Sequence, residues 1–338
     1  MKILFIGGTG TISTAISTEL AKRGDELYLL NRGSRNDLFS EYSNVHYITC
    51  DVNDEAAAKA ALGDLTFDSV CDFIGFVPAQ LERDYRLFAG RTKQFMYISS
   101  ASAYHKDPSD YVINEGTTMA NPYWQYSRDK IACEEFLFKM LRENNFPITI
   151  VRPSHTYCER SVPLGVHGSK GSWQVLKRIK EGKQVIIHGD GTSLWTITDS
   201  RDFAKGFIGL IGNPRAIGEA FQITCDVSVS WNQIYKIIAD CLNVELKPYY
   251  VSSSFLASVG DFDFEGSLIG DKANSVVFDN SKLKNVVPGL TMNIRPEEGI
   301  RRTIEYVLAH PECQEEDPEF DAWCDRVIDA LENAKKSI

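Results

Sequence analysis

The sequence predicts an α/β fold, in which a doubly wound parallel sheet is followed by a smaller, irregular α/β part. Three observations lead to this prediction. Apolar runs alternate with helix-period segments through the first half, a glycine-rich turn follows the first run, and the rhythm loosens after about residue 155. Apolar runs separated by helical stretches are typical of parallel strands that helices cover on both faces.

The apolar runs place the strands, and the segment after the first run places the first helix. Ile12, Ile16 and Leu20 recur on one helical stripe, and Gly24 follows as a residue that commonly ends helices. The six predicted strands are 2–6, 26–30, 45–49, 68–74, 94–99 and 148–152.

A helix is also predicted to close the chain. Asp317 can cap it, and Pro318 fits the first helical position. We expect this helix to pack onto the body through an apolar stripe formed by Phe320, Trp323, Val327, Ile328 and Leu331.

The length of 338 residues favours two units over one compact core. We expect a nucleotide-binding unit at residues 1–157, completed by about 192–225. The substrate-binding unit is then expected at residues 158–191 and 226–338, where polar and glycine-rich stretches interrupt shorter elements.

Composition favours small-molecule chemistry. The net charge of -10 argues against nonspecific attraction to nucleic acid or anionic lipid. No stretch approaches the roughly 20 apolar residues that span a bilayer, and the first residues do not read as a signal peptide. We therefore expect a cytoplasmic protein with a small-molecule substrate, and neither a nucleic-acid nor a membrane partner.

The cysteines and histidines give no sign of a metal site. Eight cysteines are scattered without a CxxC pair, mostly beside apolar residues, and the six histidines do not cluster. This pattern suits reduced, buried thiols better than disulfides or zinc ligands. We expect no metal.

The turn FIGGTGTIS lies between the first strand and the first helix, which is where a Rossmann-type dinucleotide site places its glycines. Glycine lets the backbone approach a pyrophosphate, which the helix N-terminus then stabilises. A third glycine is usual after another three residues, but Ser13 stands there. The residues assigned to the cofactor from this turn are Gly7, Thr9, Gly10, Thr11 and Ile12.

The second strand ends in LLNRGSR, where a carboxylate would bind the ribose 2'-hydroxyl of NAD. Asn31 is followed by Arg32 and Arg35, and guanidinium groups suit a 2'-phosphate. NADP is therefore the expected cofactor, although NAD is tolerated if both arginines face solvent. After the third strand, Asp51 and Val52 offer a polar group and an apolar wall for adenine.

A hydroxyl, a tyrosine and a lysine form the candidate catalytic set. Ser99 and Ser100 end the fifth strand, at the edge where ligands bind in such sheets. Tyr126 and Lys130 share one helix face. The alternative to a catalytic role is a purely structural one, in which the tyrosine ring packs against the protein and the lysine ammonium reaches solvent. Lowering a tyrosine pKa by about 3 units needs roughly 4 kcal/mol, which a nearby ammonium and a cationic nicotinamide can supply.

With these residues placed, the chain resembles the short-chain dehydrogenase/reductase superfamily, within its extended NAD-dependent epimerase/dehydratase group. The resemblance covers nearly the whole chain and includes YSRDK, and the motifs GGTGTIS and VRPSHTY together are fairly specific. It implies Tyr126 as acid and base, Lys130 as modulator of its pKa and ribose ligand, and Ser100 as hydroxyl partner. It also implies cofactor contacts for Ile74, Gly75, Ser99, Pro153 and His155. The residues assigned to the substrate are Phe76, Ser102, Tyr104 and Trp195.

Three departures separate the chain from the common pattern of that group. Ala101 and Ser102 follow Ser100 where dehydratases have an Asp-Glu pair, which disfavours a 4,6-dehydratase. Leu194 and Trp195 stand where nucleotide-sugar enzymes commonly have an arginine for the substrate diphosphate. The third departure is DFIGF after the fourth strand, with Ser13 in place of a glycine. These features are similar in parts to the chloroplast stem-loop RNA-binding relatives of the epimerases.

Two hypotheses remain open at this point. The first is an oxidoreductase-type epimerase/dehydratase or reductase that moves a hydride between a nicotinamide and a secondary alcohol or ketone. The second is a binding protein on the same fold, either a nucleotide-cofactor sensor or an RNA-associated protein. The resemblance leaves a homodimer open, since the family often dimerises through helices that include the one with Tyr126.

Overall fold

A seven-stranded sheet forms the centre of the protein. The computed structural model describes residues 1–35, 37–260 and 262–338. The strands of the sheet are β1 Lys2–Ile6, β2 Glu26–Asn31, β3 Val45–Thr49, β4 Ser69–Asp72, β5 Phe95–Ile98, β6 Ile148–Pro153 and β7 Ala220–Ile223. All six predicted strands are present, and β1 and β3 have the predicted bounds.

The sheet is parallel, with the spatial order β7-β6-β5-β4-β1-β2-β3. The strand order therefore reverses at β1, which pairs with β2 on one side and with β4 on the other. In open α/β sheets, ligands bind outside the carboxyl ends of the strands at such a reversal. The predicted Rossmann-type, doubly wound fold is confirmed.

Helices flank the sheet and continue into the C-terminal part. They are α1 Ser13–Arg23, α2 Glu55–Leu62, α3 Pro78–Phe88, α4 Gln125–Asn144, α5 Trp173–Lys180, α6 Ser200–Leu210, α7 Trp231–Leu242, α8 Ser253–Ser258, α9 Ser281–Val286, α10 Pro296–Ala309 and α11 Pro318–Lys336. None of the helices in the described parts of the chain is long and apolar enough to cross a membrane.

The predicted helix signals act as expected at both ends of the chain. Gly24 ends α1 with φ 84°, a left-handed conformation that favours glycine. Asp317 caps α11 by accepting a hydrogen bond from the Phe320 amide at 3.1 Å, and Pro318 is the first helical residue.

Successive residues of the strands pack alternately into two separate hydrophobic cores, one on each face of the sheet. Ile3 and Phe5 of β1 pack with α1 and α6, whereas Leu4 and Ile6 pack on the opposite face with residues of α2, α3 and α4. Side chains of successive strand residues point to opposite faces, so a sheet covered on both sides requires apolar residues throughout. This arrangement explains why the strands read as continuous apolar runs.

The C-terminal part has a third core, which contains Trp195, Trp231 and Trp323. Short parallel pairs join its segments, such as Val185–His188 with Pro248–Val251. A π-helix, Glu265–Lys272, lies within this part and leads toward the carboxyl edge of the sheet. The strand β7 falls within the predicted segment 192–225 and joins the central sheet, while the domain boundaries themselves remain predictions.

Candidate active site

The glycine-rich turn closes tightly between β1 and α1. Gly7 has φ 83°, and its amide donates to the Leu30 carbonyl at 3.1 Å. A Cβ atom at Gly7 would lie 2.5 Å from Cγ2 of Ile74. Position 7 therefore requires glycine twice, for its backbone conformation and for the close approach of the segment after β4.

Ser13 does more in this turn than the small size of its side chain suggests. Its hydroxyl accepts a hydrogen bond from the Gly10 amide and donates one to the Gly7 carbonyl, each at 2.8 Å. Within the described chain, the amides of Thr11 and Ile12 have no acceptor. The serine thus fixes the turn while these two amides stay available for an anion at the start of α1.

The ends of β2 and β3 place the residues predicted to select the cofactor. The Asn31 side chain accepts a hydrogen bond from the Gly33 amide at 2.8 Å, and its buried Nδ2 has no partner. Arg35 folds back so that Nη1 donates to the Thr9 carbonyl at 3.1 Å, whereas Arg32 is exposed. Val52 is buried behind them.

Asp51 completes this edge as an exposed residue in a turn, and its carboxylate accepts a hydrogen bond from the Asn53 amide at 2.9 Å. Two arginines therefore lie near a surface that a dinucleotide would cover. Between them, only Arg35 is already tied to the glycine-rich turn.

The end of β4 carries a buried acid pair that the sequence did not reveal. The fully buried carboxyl groups of Asp72 and Asp84 lie within hydrogen-bonding distance of each other. Burial, reinforced by the facing Asp72, holds the pKa of Asp84 well above its usual range, although the Arg83 guanidinium pairs with this carboxylate at 2.7 Å and opposes the shift. Asp72 also accepts a hydrogen bond from the Ile74 amide, which orients the segment leading to Gly75 and Phe76.

A chain of hydroxyl groups begins at the end of β5. Ser100 and Ser102 are 2.9 Å apart through their Oγ atoms, and the Ser127 hydroxyl donates to Ser102 at 2.8 Å. The neighbouring Ser99 hydroxyl is buried without a partner. Asn121 fixes this segment further, since its amide donates to the Ser102 carbonyl at 2.8 Å.

Tyr126 and Lys130 lie one turn apart near the start of α4. The Lys130 ammonium is buried and donates to the carbonyls of Gly75 and Ile98, each at 2.7 Å. It also lies 5.7 Å from the centre of the Tyr126 ring and 4.9 Å from that of Phe76. Lysine has three donors, so one N–H of Lys130 remains beyond these two carbonyls.

Burial acts on both groups in the ligand-free protein. It raises the pKa of Tyr126, an effect that a hydrogen bond with Ser100 opposes. It lowers the pKa of Lys130 to about 8, although Asp72 favours the charged form. The protein alone does not lower the tyrosine pKa as the sequence analysis required, so a bound cation would have to supply that effect.

A cavity of about 360 Å³ opens beside these groups. Ser100 and Tyr126 line it together with Pro153, His155 and Trp195, as the sequence analysis placed them at one site. The remaining lining residues are Ala101, Ser102, Trp124, Ser154, Thr156, His167, Asp271, Lys272 and Phe278. The described residues contain no group of three or more His, Cys, Asp and Glu side chains placed to hold a metal.

Two residues assigned to the substrate, Tyr104 and Phe76, do not line this cavity. Tyr104 is buried away from the cavity, where its hydroxyl donates to Gln222 at 3.1 Å and accepts from Arg152 at 3.2 Å. Arg152 in turn pairs with the buried Glu134. Phe76 also does not line the cavity, but its ring is 6.5 Å from the Tyr126 ring and is 47% exposed.

A second, larger cavity of about 830 Å³ adjoins the outer side of the glycine-rich turn. Gly10, Thr11 and Arg35 line it, and Arg160 and Arg201 add guanidinium groups from the segment after β6 and from α6. Glu19 and Glu159 line it as well. Arg160 was not predicted from the sequence, since nothing in the local pattern around it indicates a contact with a turn about 150 residues earlier.

The geometry can be compared with known proteins. A model of the NAD-dependent epimerase/dehydratase family matches residues 3–224. Among curated proteins, chloroplast stem-loop binding protein of 41 kDa b from Arabidopsis thaliana is 25% identical over 249 residues. That match covers 70% of this chain, and the chain spans only 62% of the length of that relative.

Solved structures share the fold at low identity. An epimerase from Methanothermobacter thermautotrophicus is 17% identical, with a TM-score of 0.75 and coverage of 92% of this chain and 93% of its own. A dTDP-glucose 4,6-dehydratase from Bacillus anthracis, in complex with NAD, is 14% identical, with a TM-score of 0.73 and coverage of 92% and 98%. A UDP-glucuronic acid 4-epimerase from Bacillus cereus, with UDP-glucuronic acid and NAD, is 18% identical, with a TM-score of 0.71 and coverage of 91% and 99%.

Proposed function

The chain belongs to the NAD-dependent epimerase/dehydratase family, and from this premise we propose that it transfers a hydride between a nicotinamide cofactor and a secondary alcohol or ketone on a sugar-like substrate. The observation that carries the proposal is the meeting of Ser100 and Tyr126 in one cavity, with the Lys130 ammonium directly behind the tyrosine ring. The reaction would be an epimerisation, a dehydration or a reduction.

The protein surface at the carboxyl edge suits a dinucleotide. The acceptor-free amides of Thr11 and Ile12 fit a pyrophosphate, and the unpartnered Asn31 amide and Ser99 hydroxyl fit further polar groups. The cofactor, when bound, supplies the carbon that gives or takes the hydride. We propose NADP as the cofactor because Arg32 and Arg35 are close to the expected position of a 2'-phosphate. NAD, which occupies two of the structural neighbours, is the alternative.

Each catalytic residue has a separate part in the proposed reaction. Ser100 holds the substrate oxygen, and its own orientation is fixed by Ser102. As the substrate C–H bond loses a hydride, Tyr126 takes the proton of the O–H group, and it returns a proton in the reverse direction. Lys130 stabilises the Tyr126 phenolate that accepts this proton, and it offers its remaining N–H to a ribose hydroxyl.

The cavity walls argue against the common nucleotide-sugar substrates. Trp195 is almost completely buried in the cavity wall, at the place where the family commonly has an arginine for a diphosphate. Ala101 occupies the wall where dehydratases carry an acidic residue. We therefore propose a substrate smaller than a sugar nucleotide.

RNA association is the second candidate function, and only the curated relative favours it. That relative is named for stem-loop binding. The net charge of -10 gives this chain little general attraction for phosphate backbones. A mobility-shift titration with a stem-loop RNA and its unpaired, scrambled control separates the two functions, because salt-sensitive preference for the stem-loop would support the RNA-binding protein.

The enzyme proposal is tested by following NADPH and NADP absorbance with a panel of sugars, sugar acids, sugar phosphates and simple ketones. We expect turnover with at least one class. Tyr126→Phe should abolish it, while Tyr123→Phe, a change of the same chemistry three residues earlier, should preserve it. Equal rates in the two variants would overturn the role of Tyr126.

A further inference from the structure

Lys272 contributes a cation to the cavity that no carboxylate neutralises. We propose that the substrate carries an anionic group, a carboxylate or a phosphate monoester, and that Lys272 binds it. This inference rests on the proposed function, because it assigns a substrate class to the same cavity that contains Ser100 and Tyr126.

The π-helix Glu265–Lys272 brings this lysine to the site. Two of its glycines allow the close approach, since a Cβ atom at Gly266 would collide with the Trp124 ring and one at Gly270 would lie 3.2 Å from Cβ of Tyr123. Both aromatic residues immediately precede α4, which carries Tyr126. The end of the π-helix is therefore held against the start of the helix that carries the catalytic tyrosine.

The Lys272 ammonium has weak contacts in the ligand-free protein. It donates to the Ser267 carbonyl at 3.4 Å and lies 5.9 Å from the centre of the Trp124 ring. Among the described residues, no carboxylate is within 4.0 Å of its Nζ atom. A largely enclosed ammonium with one long hydrogen bond retains donors for a ligand.

The charges around Lys272 leave the cavity positive. The neighbouring Asp271 is already paired with the buried Lys106 at 3.2 Å. His155 and His167 line the cavity as neutral rings, because burial and the charge of Lys272 both lower their pKa values. Asp271 is the carboxylate on the described lining, and because it is paired with Lys106, which lies outside the lining, Lys272 keeps a charge without a paired anion.

This excess charge is costly until an anion arrives. Burial lowers the pKa of Lys272, with Lys106 acting in the same direction and Asp271 opposing it. A bound anion would reverse that effect and form charge-assisted hydrogen bonds. A protein that keeps an unmatched lysine in a reaction cavity is thus suited to a substrate that brings the opposite charge.

The experiment measures anion binding without turnover. Inorganic phosphate and acetate are titrated against the full chain at constant ionic strength with chloride, and tryptophan fluorescence reports binding because Trp124 adjoins the lysine. Lys272→Met should weaken binding by about 10-fold or more. Lys272→Arg should retain it, and Lys59→Met, which removes an exposed lysine on α2, should match the wild type.

The outcomes separate this inference from the proposed function. Preference for phosphate identifies a phosphorylated substrate class, and preference for acetate a carboxylated one. Equal binding in the wild type and Lys272→Met, with Lys272→Met folded by thermal melting, overturns the inference. Anion binding through Lys272 without any hydride transfer would leave it standing and defeat the proposed function, whereas turnover of neutral sugars only would do the opposite.

Discussion

The indole Nε1 of Trp195 donates a hydrogen bond to Nδ1 of His155 across 3.3 Å. Because Nδ1 is the acceptor, the ring carries its proton on Nε2. Burial lowers the pKa of His155 to about 3, so the ring is neutral at physiological pH. His155 therefore presents one fixed N–H donor beside the residues proposed to handle the substrate oxygen.

Replacement of Trp195 by Phe should remove the hydrogen bond that keeps the His155 proton on Nε2. The ring would then populate both neutral forms, which ¹⁵N NMR of the histidine side chains distinguishes directly. We expect Trp173→Phe, a change of the same size in α5, to leave the His155 signals unchanged. A wild-type spectrum with the proton on Nδ1 would contradict the hydrogen bond.

Stability should fall between pH 7 and pH 5 because folding buries neutral histidines. Burial lowers the pKa of His155 to about 3 and that of His188 to about 4, against an ordinary value of about 6.5. The unfolded chain therefore binds more protons over this window, and acid favours unfolding. Each ring contributes a loss of about 2 kcal/mol in the free energy of unfolding between pH 7 and pH 5.

Urea unfolding at the two pH values checks this prediction. In the double variant His155→Gln and His188→Gln, the decrease should be smaller than in the wild type by about 3 to 4 kcal/mol. His46→Gln, at a half-buried ring whose side chain is 43% exposed, serves as the control. An unchanged decrease in the double variant would show that these rings titrate normally.

The strands of the sheet could be predicted from the sequence because a strand that is buried on both faces is a continuous run of apolar residues. Lys2–Ile6 and Val45–Thr49 have the predicted bounds, since each strand must be apolar enough to lie between two layers. The turn at Gly7 and the pair Tyr126 and Lys130 were found for similar reasons. Their positions depend on residues close in sequence and on the carboxyl ends of parallel strands, which meet at one edge of the sheet.

Other features of the site could not be predicted, because no sequence pattern around the residues indicates where they lie. Lys272 lies in a segment that reads as irregular, and only its packing against Trp124 reveals that it faces the cavity. The pairing of Asp72 with Asp84 likewise depends on how α3 docks against the end of β4. Tyr104 followed the family pattern in sequence, yet the contact with Arg152 holds it away from the cavity.

Gly7→Ala should be far more harmful than Gly24→Ala, although both glycines have nearly the same φ, 83° and 84°. A Cβ at Gly24 meets nothing within 4 Å, so only the backbone cost of about 1 kcal/mol applies. A Cβ at Gly7 meets Ile74, which adds about 1–3 kcal/mol of overpacking.

Urea unfolding of the two variants tests this difference, and NADPH fluorescence tests whether Gly7→Ala also loses the cofactor. In the double variant Gly7→Ala and Ile74→Ala, the contacting Cγ2 atom is removed, so the loss of stability should be smaller than the sum of the two single changes. Equal destabilisation by the two alanines would mean that the contact with Ile74 is not restrictive.

Arg32→Asp should change the preferred cofactor. A carboxylate at this position repels a 2'-phosphate and accepts hydrogen bonds from a ribose 2'-hydroxyl, so affinity should move from NADPH toward NADH by about 10-fold or more. Fluorescence titration with both cofactors measures the ratio. Arg215→Asp, an exposed change remote from the edge, is the control, and the same ratio before and after Arg32→Asp would refute the assignment.

Isotope transfer can show whether Tyr126 supports hydride transfer. The protein is incubated with NADPH deuterated at C4 and with a metabolite extract, and mass spectrometry searches for a product that has gained deuterium. We predict a labelled product with the wild type and with Tyr123→Phe, and none with Tyr126→Phe. Tight binding of the cofactor with neither deuterium transfer to any metabolite nor a new epimer or dehydration product in the extract would contradict the proposed hydride transfer.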